Sequence, residues 1–147
     1  GVSASLSWAA YAKQLQLLKD AVPAVRRVAL LRDPSNQGSR PAVSTFTEAA
    51  RSLGIELQVV GASKPEEFEP AFRSMSRARA DGLVIHREAT FYRHLGRLAD
   101  LSVAHRLASV SGSEEYAKVG GLMSYAADTA DEARQIAVYV DRLLRGA

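Results

Sequence analysis

The sequence has 147 residues, a length that suits one domain, because a chain of about this size buries roughly 70% of its unfolded surface. Hydrophobic residues make up 47% of it and charged residues 24%, and no apolar run approaches the ~20 residues of a membrane-spanning helix. The absence of cysteine excludes disulfide and thiolate chemistry. The net charge of +3 comes from scattered basic residues without a reader motif, so we expect no nucleic-acid partner.

Short hydrophobic runs typical of β-strands alternate with longer stretches that have helical spacing. This alternation predicts right-handed βαβ units. We therefore expect an α/β fold with three layers, in which helices cover both faces of a parallel sheet of five strands. Such a doubly wound sheet is flavodoxin-like or Rossmann-like. Ligands of such sheets bind outside the carboxyl ends of the strands. The predicted strands are Val28 to Leu31, Leu57 to Val60, Leu83 to Ile85, Leu107 to Val110 and Leu122 to Tyr125.

Turn and capping signals mark the ends of the helices. Pro23 ends the first helix, and Gly54 supplies a left-handed cap after the second. Ser63 and Glu66 have the spacing of a capping box, and Thr90 can cap the helix that follows the third strand. The predicted helices are Trp8 to Ala21, Pro41 to Leu53, one through Phe68 and Met75, Thr90 to about His105, a short segment through Tyr116, and a last helix after Thr129.

The common signatures of enzymes are absent from the sequence. It has no glycine-rich nucleotide motif, no zinc-protease motif and no nucleophile elbow. His86, His94 and His105 lack the spacing of metal ligands. We expect a protein without catalytic residues, metal or cofactor. A small flavodoxin-like enzyme that uses His86 or Asp33 as acid or base is an alternative interpretation.

Polar side chains follow four of the predicted strands, in the segments 33–36, 86–88, 111–113 and 124–128. Because the carboxyl ends of parallel strands meet at one edge of a sheet, we expect these segments to form one rim that binds the polar part of a small ligand. Each segment alone also has a structural interpretation as a turn, a helix cap or an exposed ion pair. The candidate ligand-binding residues are Asp33, Asn36, His86, Glu88, Ser111, Ser113, Ser124, Tyr125 and Asp128.

Six segments share a combination of residues that is specific as a set, although each piece is weak alone. They are Gln16 to Pro23, Asp33 to Asn36, Phe91 to His94, Arg97 to Asp100, Gly120 to Tyr125 and Ala137 to Ala147. In this combination the chain resembles a family of ABC transporter substrate-binding proteins over nearly its whole length. Members of that family are similar to type I periplasmic binding proteins, in which two α/β lobes are hinged around a small solute. Some of them bind aromatic amino acids.

The resemblance implies that residues 1–147 form a single α/β solute-binding lobe, the second of two, with a hinge-derived segment at residues 1–7. It implies a non-enzymatic component of an ABC importer that binds an amino acid or another small polar solute in an interlobe cleft. Its partners would be the first lobe, missing from this chain, and an ABC permease, in a periplasmic or otherwise extracytoplasmic location. The alternative is the effector-binding lobe of a transcriptional regulator or sensor, since the same architecture serves both.

The resemblance also singles out ligand-facing positions. They are Asn36, Glu88, Ser124 and Tyr125. Glu88 stands where the family usually has Asp, and Arg87 where it commonly has Pro. Ser111 and Ser113 follow the fourth strand, where aromatic residues often occur in the family. Because aromatic rings supply much of the contact with an aromatic ligand, we expect a smaller or more polar solute.

Overall fold

The computed structural model describes residues 2–113, 115–120 and 123–124. Helices and parallel strands alternate along these residues, as the sequence pattern predicts. The helices are α1 (Val2–Ala21), α2 (Arg40–Ser52), α3 (Phe68–Arg77), α4 (Ala89–Tyr92), α5 (Leu95–Ala104) and α6 (Glu115–Lys118). The strands are β1 (Arg27–Arg32), β2 (Glu56–Gly61), β3 (Gly82–Ile85), β4 (Ala108–Ser111) and β5 (Met123–Ser124).

The strands form one sheet in the order β2-β1-β3-β4-β5, and every pair is parallel. The predicted α/β class and doubly wound parallel sheet are confirmed. The body of the sheet has four strands of four to six residues. The fifth strand, predicted over Leu122 to Tyr125, is described only as a two-residue pairing of Met123 and Ser124 with β4. The strand order reverses between β1 and β3, which is the topological switch point of this fold.

Helices cover both faces of the sheet. The central strands β1 and β3 are therefore buried on both sides, as expected of parallel strands between helical layers. Alternate residues of β1 point to opposite faces. Val28 and Leu30 join a cluster with Leu15, Leu18 and Phe46 of α1 and α2. Ala29 and Leu31 join a second cluster on the other face, with Phe68, Phe72 and Leu98 of α3 and α5.

Pro23 and Gly54 have the effects on the helix ends that the sequence predicts. The α1 helix ends at Ala21, just before Pro23. Gly54 follows α2 with a φ of 71°, a left-handed conformation that glycine adopts without a steric penalty. Within the described part of the chain, no helix is long and apolar enough to span a membrane.

The helix predicted from Thr90 to His105 is in fact two helices. The break lies at Arg93 and His94, where His94 has a non-helical backbone (φ −131°, ψ 26°). The prediction was wrong because the apolar repeat of Phe91, Leu95 and Leu98 continues across the break. The rings of Phe91 and His94 both contact Phe68, so tertiary packing sets the break and periodicity does not reveal it.

Candidate ligand-binding site

The carboxylate of Asp33 links the ends of three strands. Asp33 follows β1 and is only 4% exposed. Its Oδ1 accepts hydrogen bonds from the Ser35 backbone N–H (2.9 Å) and hydroxyl (2.6 Å) within its own loop, and from the Ser63 hydroxyl (2.7 Å) after β2. Its Oδ2 accepts one from the Thr90 hydroxyl after β3. These contacts hold the three strand-end loops in a fixed relation to one another.

The hydrogen bonds to Asp33 also set its charge state. Burial alone would raise the pKa of the carboxyl, because it disfavours the charged form. The hydrogen bonds from Ser35, Thr90 and Ser63 outweigh that effect and lower the pKa of Asp33 to about 2. The Asp33 carboxylate is therefore ionised at neutral pH, and both of its oxygens accept hydrogen bonds from the protein.

Glu88 joins the loops of β1 and β3 directly at the switch point. Its side chain is buried, and its Oε2 accepts a hydrogen bond from the Asp33 backbone N–H at 2.6 Å. Its Oε1 accepts one from the Asn36 side-chain amide at 2.8 Å. Asn36 in turn accepts a hydrogen bond from the Gly38 backbone N–H at 3.0 Å and so caps the turn before α2. Asp33, Asn36 and Glu88 therefore form one connected network.

His86 directly follows β3 and precedes Glu88 by two residues. Its half-buried ring packs edge-on against Tyr11 and Phe46, with ring centroids 5.9 Å apart in each case. Burial lowers the pKa of His86, the negative charge of Glu88 opposes that shift, and the positive charge of Arg32 adds to it. The structure thus gives the His86 ring a packing role against Tyr11 and Phe46.

The loop after β4 is compact and packs against the loop after β3. Ser111 and Ser113 are both buried, and the Ser111 hydroxyl accepts a hydrogen bond from the Ser113 backbone N–H at 3.0 Å. Gly112 lies so close to its neighbour that an added Cβ would be 3.1 Å from the Cβ of Arg87. The glycine permits this close approach of the two loops.

A cavity of about 400 Å³ opens where β3 and β4 end. Its volume lies within the range of about 300–1,000 Å³ that is usual for small-ligand sites. A larger groove of about 950 Å³ is lined by α2, the end of β1 and the outer edge of β2, away from the β3 and β4 ends. We take the smaller cavity as the candidate site because it lies beside the switch point. Its lining residues are Arg87, Glu88, Ala89, Tyr92, Arg93 and Ser113.

Comparison with known proteins decides the family. The model of a family described as ABC transporter substrate binding protein matches residues 1–147. The chain belongs to this family. A comparison with curated protein sequences finds no match.

Solved structures similar to this family member share its fold. A conserved domain protein from Vibrio cholerae has a TM-score of 0.72 at 18% identity, covering 93% of this chain and 46% of that one. An ABC domain from Streptococcus pneumoniae, solved in complex with L-Trp, has a TM-score of 0.73 at 18% identity, covering 93% and 44%. CD0873, a substrate-binding protein from Clostridium difficile, has a TM-score of 0.70 at 16% identity, covering 79% and 39%. This chain thus spans less than half the length of these three proteins.

The predicted site residues of this substrate-binding family member have different positions in the structure. Asp33, Asn36 and Glu88 contact one another. Ser113 lines the cavity beside Glu88, whereas the half-buried His86 and the buried Ser111 do not line it. For Ser124 the backbone position at the end of β5 is described, next to β4. Tyr125 and Asp128 lie outside the described residues, as does the helix predicted after Thr129.

Two hydroxyl residues that donate to Asp33 have another role in the prediction from the sequence. Ser63 and Thr90 were interpreted as helix caps, but both hydroxyls donate to Asp33. The capping partner of the Ser63 backbone N–H is Glu67, at 2.7 Å, rather than Glu66. The signal that could have identified both residues is their position between the carboxyl end of a strand and the following helix or in its first turn, where a hydroxyl can reach the neighbouring loop.

Proposed function

We propose that this chain is one solute-binding lobe of an ABC importer. In this proposal a small polar solute, such as an amino acid, binds at the carboxyl ends of the strands, and a first lobe outside this chain covers its other side. The observation that carries the proposal is the Glu88 carboxylate. It fixes the loops of β1 and β3 to each other beside a cavity of about 400 Å³, at the switch point where α/β sheets bind ligands.

The candidate contacts are the groups that border the cavity. Each Glu88 oxygen accepts one hydrogen bond from the protein, and a carboxylate can accept about four in all, so it has capacity for a ligand donor. Ser113 borders the same cavity with a hydroxyl that can donate or accept. Ser124, Tyr125 and Asp128 remain candidates from the sequence. Asp33 and His86 act in this proposal by supporting the rim.

Asp33 also bears on the choice between binding and catalysis. A general acid or base works best with a pKa near the operating pH and within reach of a substrate. Asp33 has a pKa of about 2, is 4% exposed and is surrounded by protein donors. These properties support a non-enzymatic role, and His86, packed edge-on against the stacked rings of Tyr11 and Phe46, is equally consistent with support of the rim.

Transport would follow from closure of the two lobes. A solute between them favours the closed state because only that state makes both sets of contacts, and an ABC permease would bind the closed form. The location would be periplasmic or otherwise extracytoplasmic.

Loss of the contacts made by one of the two lobes weakens binding by several kcal/mol, and each ~1.4 kcal/mol is a tenfold change in affinity. We therefore expect this chain alone to bind its solute weakly, with a Kd on the order of 1 mM.

The proposal is tested by NMR titration, which measures weak binding. The ¹⁵N-labelled chain is titrated with amino acids, small organic acids, sugars and nucleosides. We expect saturable shifts with one solute class in the segments 33–36, 86–88 and 111–113, weakened by Glu88→Ala but not by Asp100→Asn on the exposed side of α5. No saturable shift in these segments with any class would contradict the proposal.

The regulator interpretation has less support. A transcription regulation repressor of the LacI family from Corynebacterium glutamicum has a solved structure similar to this chain, with a TM-score of 0.52 at 18% identity, covering 93% of this chain and 58% of that one. That likeness concerns the fold, which regulators and transport proteins share. The family match over residues 1–147 favours transport. Uptake of the bound solute that is lost on deletion of the gene would support the importer role, and DNA binding controlled by the solute would contradict it.

A further inference from the structure

The cavity beside the switch point has two cationic side chains at its edge. Arg87 precedes Glu88 in the loop after β3, and Arg93 follows the four-residue helix α4 as its C-cap. Both residues line the cavity of about 400 Å³, one before and one after α4. Such a pair of cations matches a negatively charged ligand group.

Glu88 is the one carboxylate among the lining residues that the structure describes. Its two oxygens already accept hydrogen bonds from the Asp33 N–H and the Asn36 amide. Among the described residues, Arg87 and Arg93 form no ion pair, whereas Arg27 pairs with Glu56 elsewhere in the structure. The cavity lining therefore has two cationic side chains and one carboxylate, and the oxygens of that carboxylate already accept hydrogen bonds from the protein.

Tyr92 adds an apolar surface between the two arginines. Its side chain is 53% exposed and borders the cavity. A tyrosine ring provides a rigid flat face for an aliphatic or aromatic ligand body. Ser113, on the β4 side, adds a hydroxyl. The lining thus combines charge for one end of a ligand with an apolar face for the rest.

We infer that the solute carries a carboxylate, which Arg87 and Arg93 bind while the body of the solute lies against Tyr92. This inference rests on the proposed function and names the substrate class of the same site. A guanidinium group presents paired N–H donors that match the two oxygens of a carboxylate, and such charge-assisted hydrogen bonds are about twice as strong as neutral ones. A neutral amide of the same shape lacks the charge and offers one acceptor oxygen in place of two.

The test compares acids with their amides on the 147-residue chain. Succinate and benzoate are titrated against succinamide and benzamide, and the arginine side-chain Nε–H signals are followed by NMR. We expect both acids to shift the Arg87 and Arg93 signals saturably and to bind at least about tenfold more tightly than the amides, a difference of ~1.4 kcal/mol. Arg87→Ala and Arg93→Ala should each weaken binding of the acids about fivefold or more, and Arg73→Ala, on the exposed side of α3, should not.

Failure of this inference differs from failure of the proposed function. Amides or other neutral solutes that perturb the rim as strongly as the acids would overturn the carboxylate inference and leave a solute-binding lobe. Acid binding that survives both Arg87→Ala and Arg93→Ala, or acids that leave both arginine signals unchanged, would overturn it as well. Only the absence of rim shifts with every solute class would count against the proposed function itself.

Discussion

At the scale of single residues, the polar side chains of the strand-end loops divide by what they contact. Asp33 contacts protein donors only, among the described residues, and Glu88 contacts both the network and the cavity. Arg87, Tyr92 and Arg93 line the cavity without belonging to the network. In the proposed function, the residues of the network set the shape of the site, and the residues that line the cavity contact the solute.

Asp33 should make the stability of the protein depend on pH in the acid range. The pKa of its carboxyl is about 2 in the folded state and 3.8 without these contacts. A lowered folded-state pKa means that the stabilisation is present above the unfolded-state value and is lost as the pH falls toward 2. Asp33→Asn should destabilise the protein at pH 7 by about 1–3 kcal/mol, because buried donors lose a charged acceptor.

Urea unfolding measured from pH 7 to pH 2 checks this prediction. The difference in unfolding free energy between the wild type and Asp33→Asn should shrink as the pH falls. Asp100→Asn provides the matched control, since Asp100 is exposed on α5 and should leave both the stability and its pH dependence unchanged. A wild-type pH profile that Asp33→Asn reproduces in full would contradict the role of Asp33.

The link between Glu88 and Asn36 can be measured as a coupling energy. Asn36→Ala also loses the contact with Gly38, and Glu88→Ala also loses the contact with the Asp33 N–H. In a double-mutant cycle these other losses cancel, and the direct hydrogen bond of 2.8 Å remains. We expect a coupling of about 1–2 kcal/mol in the unfolding free energy. Additivity within about 0.3 kcal/mol would show that the two loops are not held together by this contact.

At the scale of elements, the position of the cavity depends on how closely two loops approach. The loops after β3 and β4 meet at Gly112 and Arg87. Gly112→Ala would place a Cβ 3.1 Å from the Arg87 Cβ, so the loop after β3 must shift by a few tenths of an ångström. We expect a loss of about 1 kcal/mol in stability, as for other overpacked sites, together with weaker binding at the cavity.

Gly96→Ala is the matched control for Gly112→Ala. Gly96 lies in the first turn of α5, and an added Cβ there would meet nothing within 4 Å. Alanine favours a helix over glycine by up to ~1 kcal/mol, so this variant should be as stable as the wild type or more stable. Thermal unfolding of both variants, with the NMR signal of the Arg87 side chain as a local probe, separates a local shift from general destabilisation. Equal melting temperatures and an unmoved Arg87 signal in Gly112→Ala would contradict the prediction.

Elements also show the limits of what the sequence predicts. The ends of α1 at Ala21 and of α2 before Gly54 were predictable, because Pro23 and Gly54 act locally on the backbone. The break between α4 and α5 was not, since it depends on two rings that meet Phe68, a residue more than twenty positions away. Local chemistry is visible in the sequence, whereas contacts between distant elements are not.

At the scale of the whole molecule, the order of the strands places the site. The alternation of strands and helices predicted the parallel sheet and therefore the edge at which polar loops meet. It did not predict the order β2-β1-β3-β4-β5, which makes the loops after β1 and β3 neighbours. That adjacency allows Glu88 to reach Asp33 and Asn36, more than fifty positions earlier in the chain. Asn36 and Glu88 were therefore predictable as candidates, while their contact required the fold.

The contacts of Asp33 lie apart from most of the cavity lining, which has a consequence for how such a site can change. Ser35, Ser63 and Thr90 hold the strand ends from within the protein, and Glu88 is the cavity-lining residue that also holds the loops together. Under the proposed function, substitutions at positions 87, 92 and 93 should then alter specificity at little cost in stability. This division of tasks would make the chain a suitable starting point for directed evolution of sensors toward new small molecules, with the randomised positions confined to one short segment.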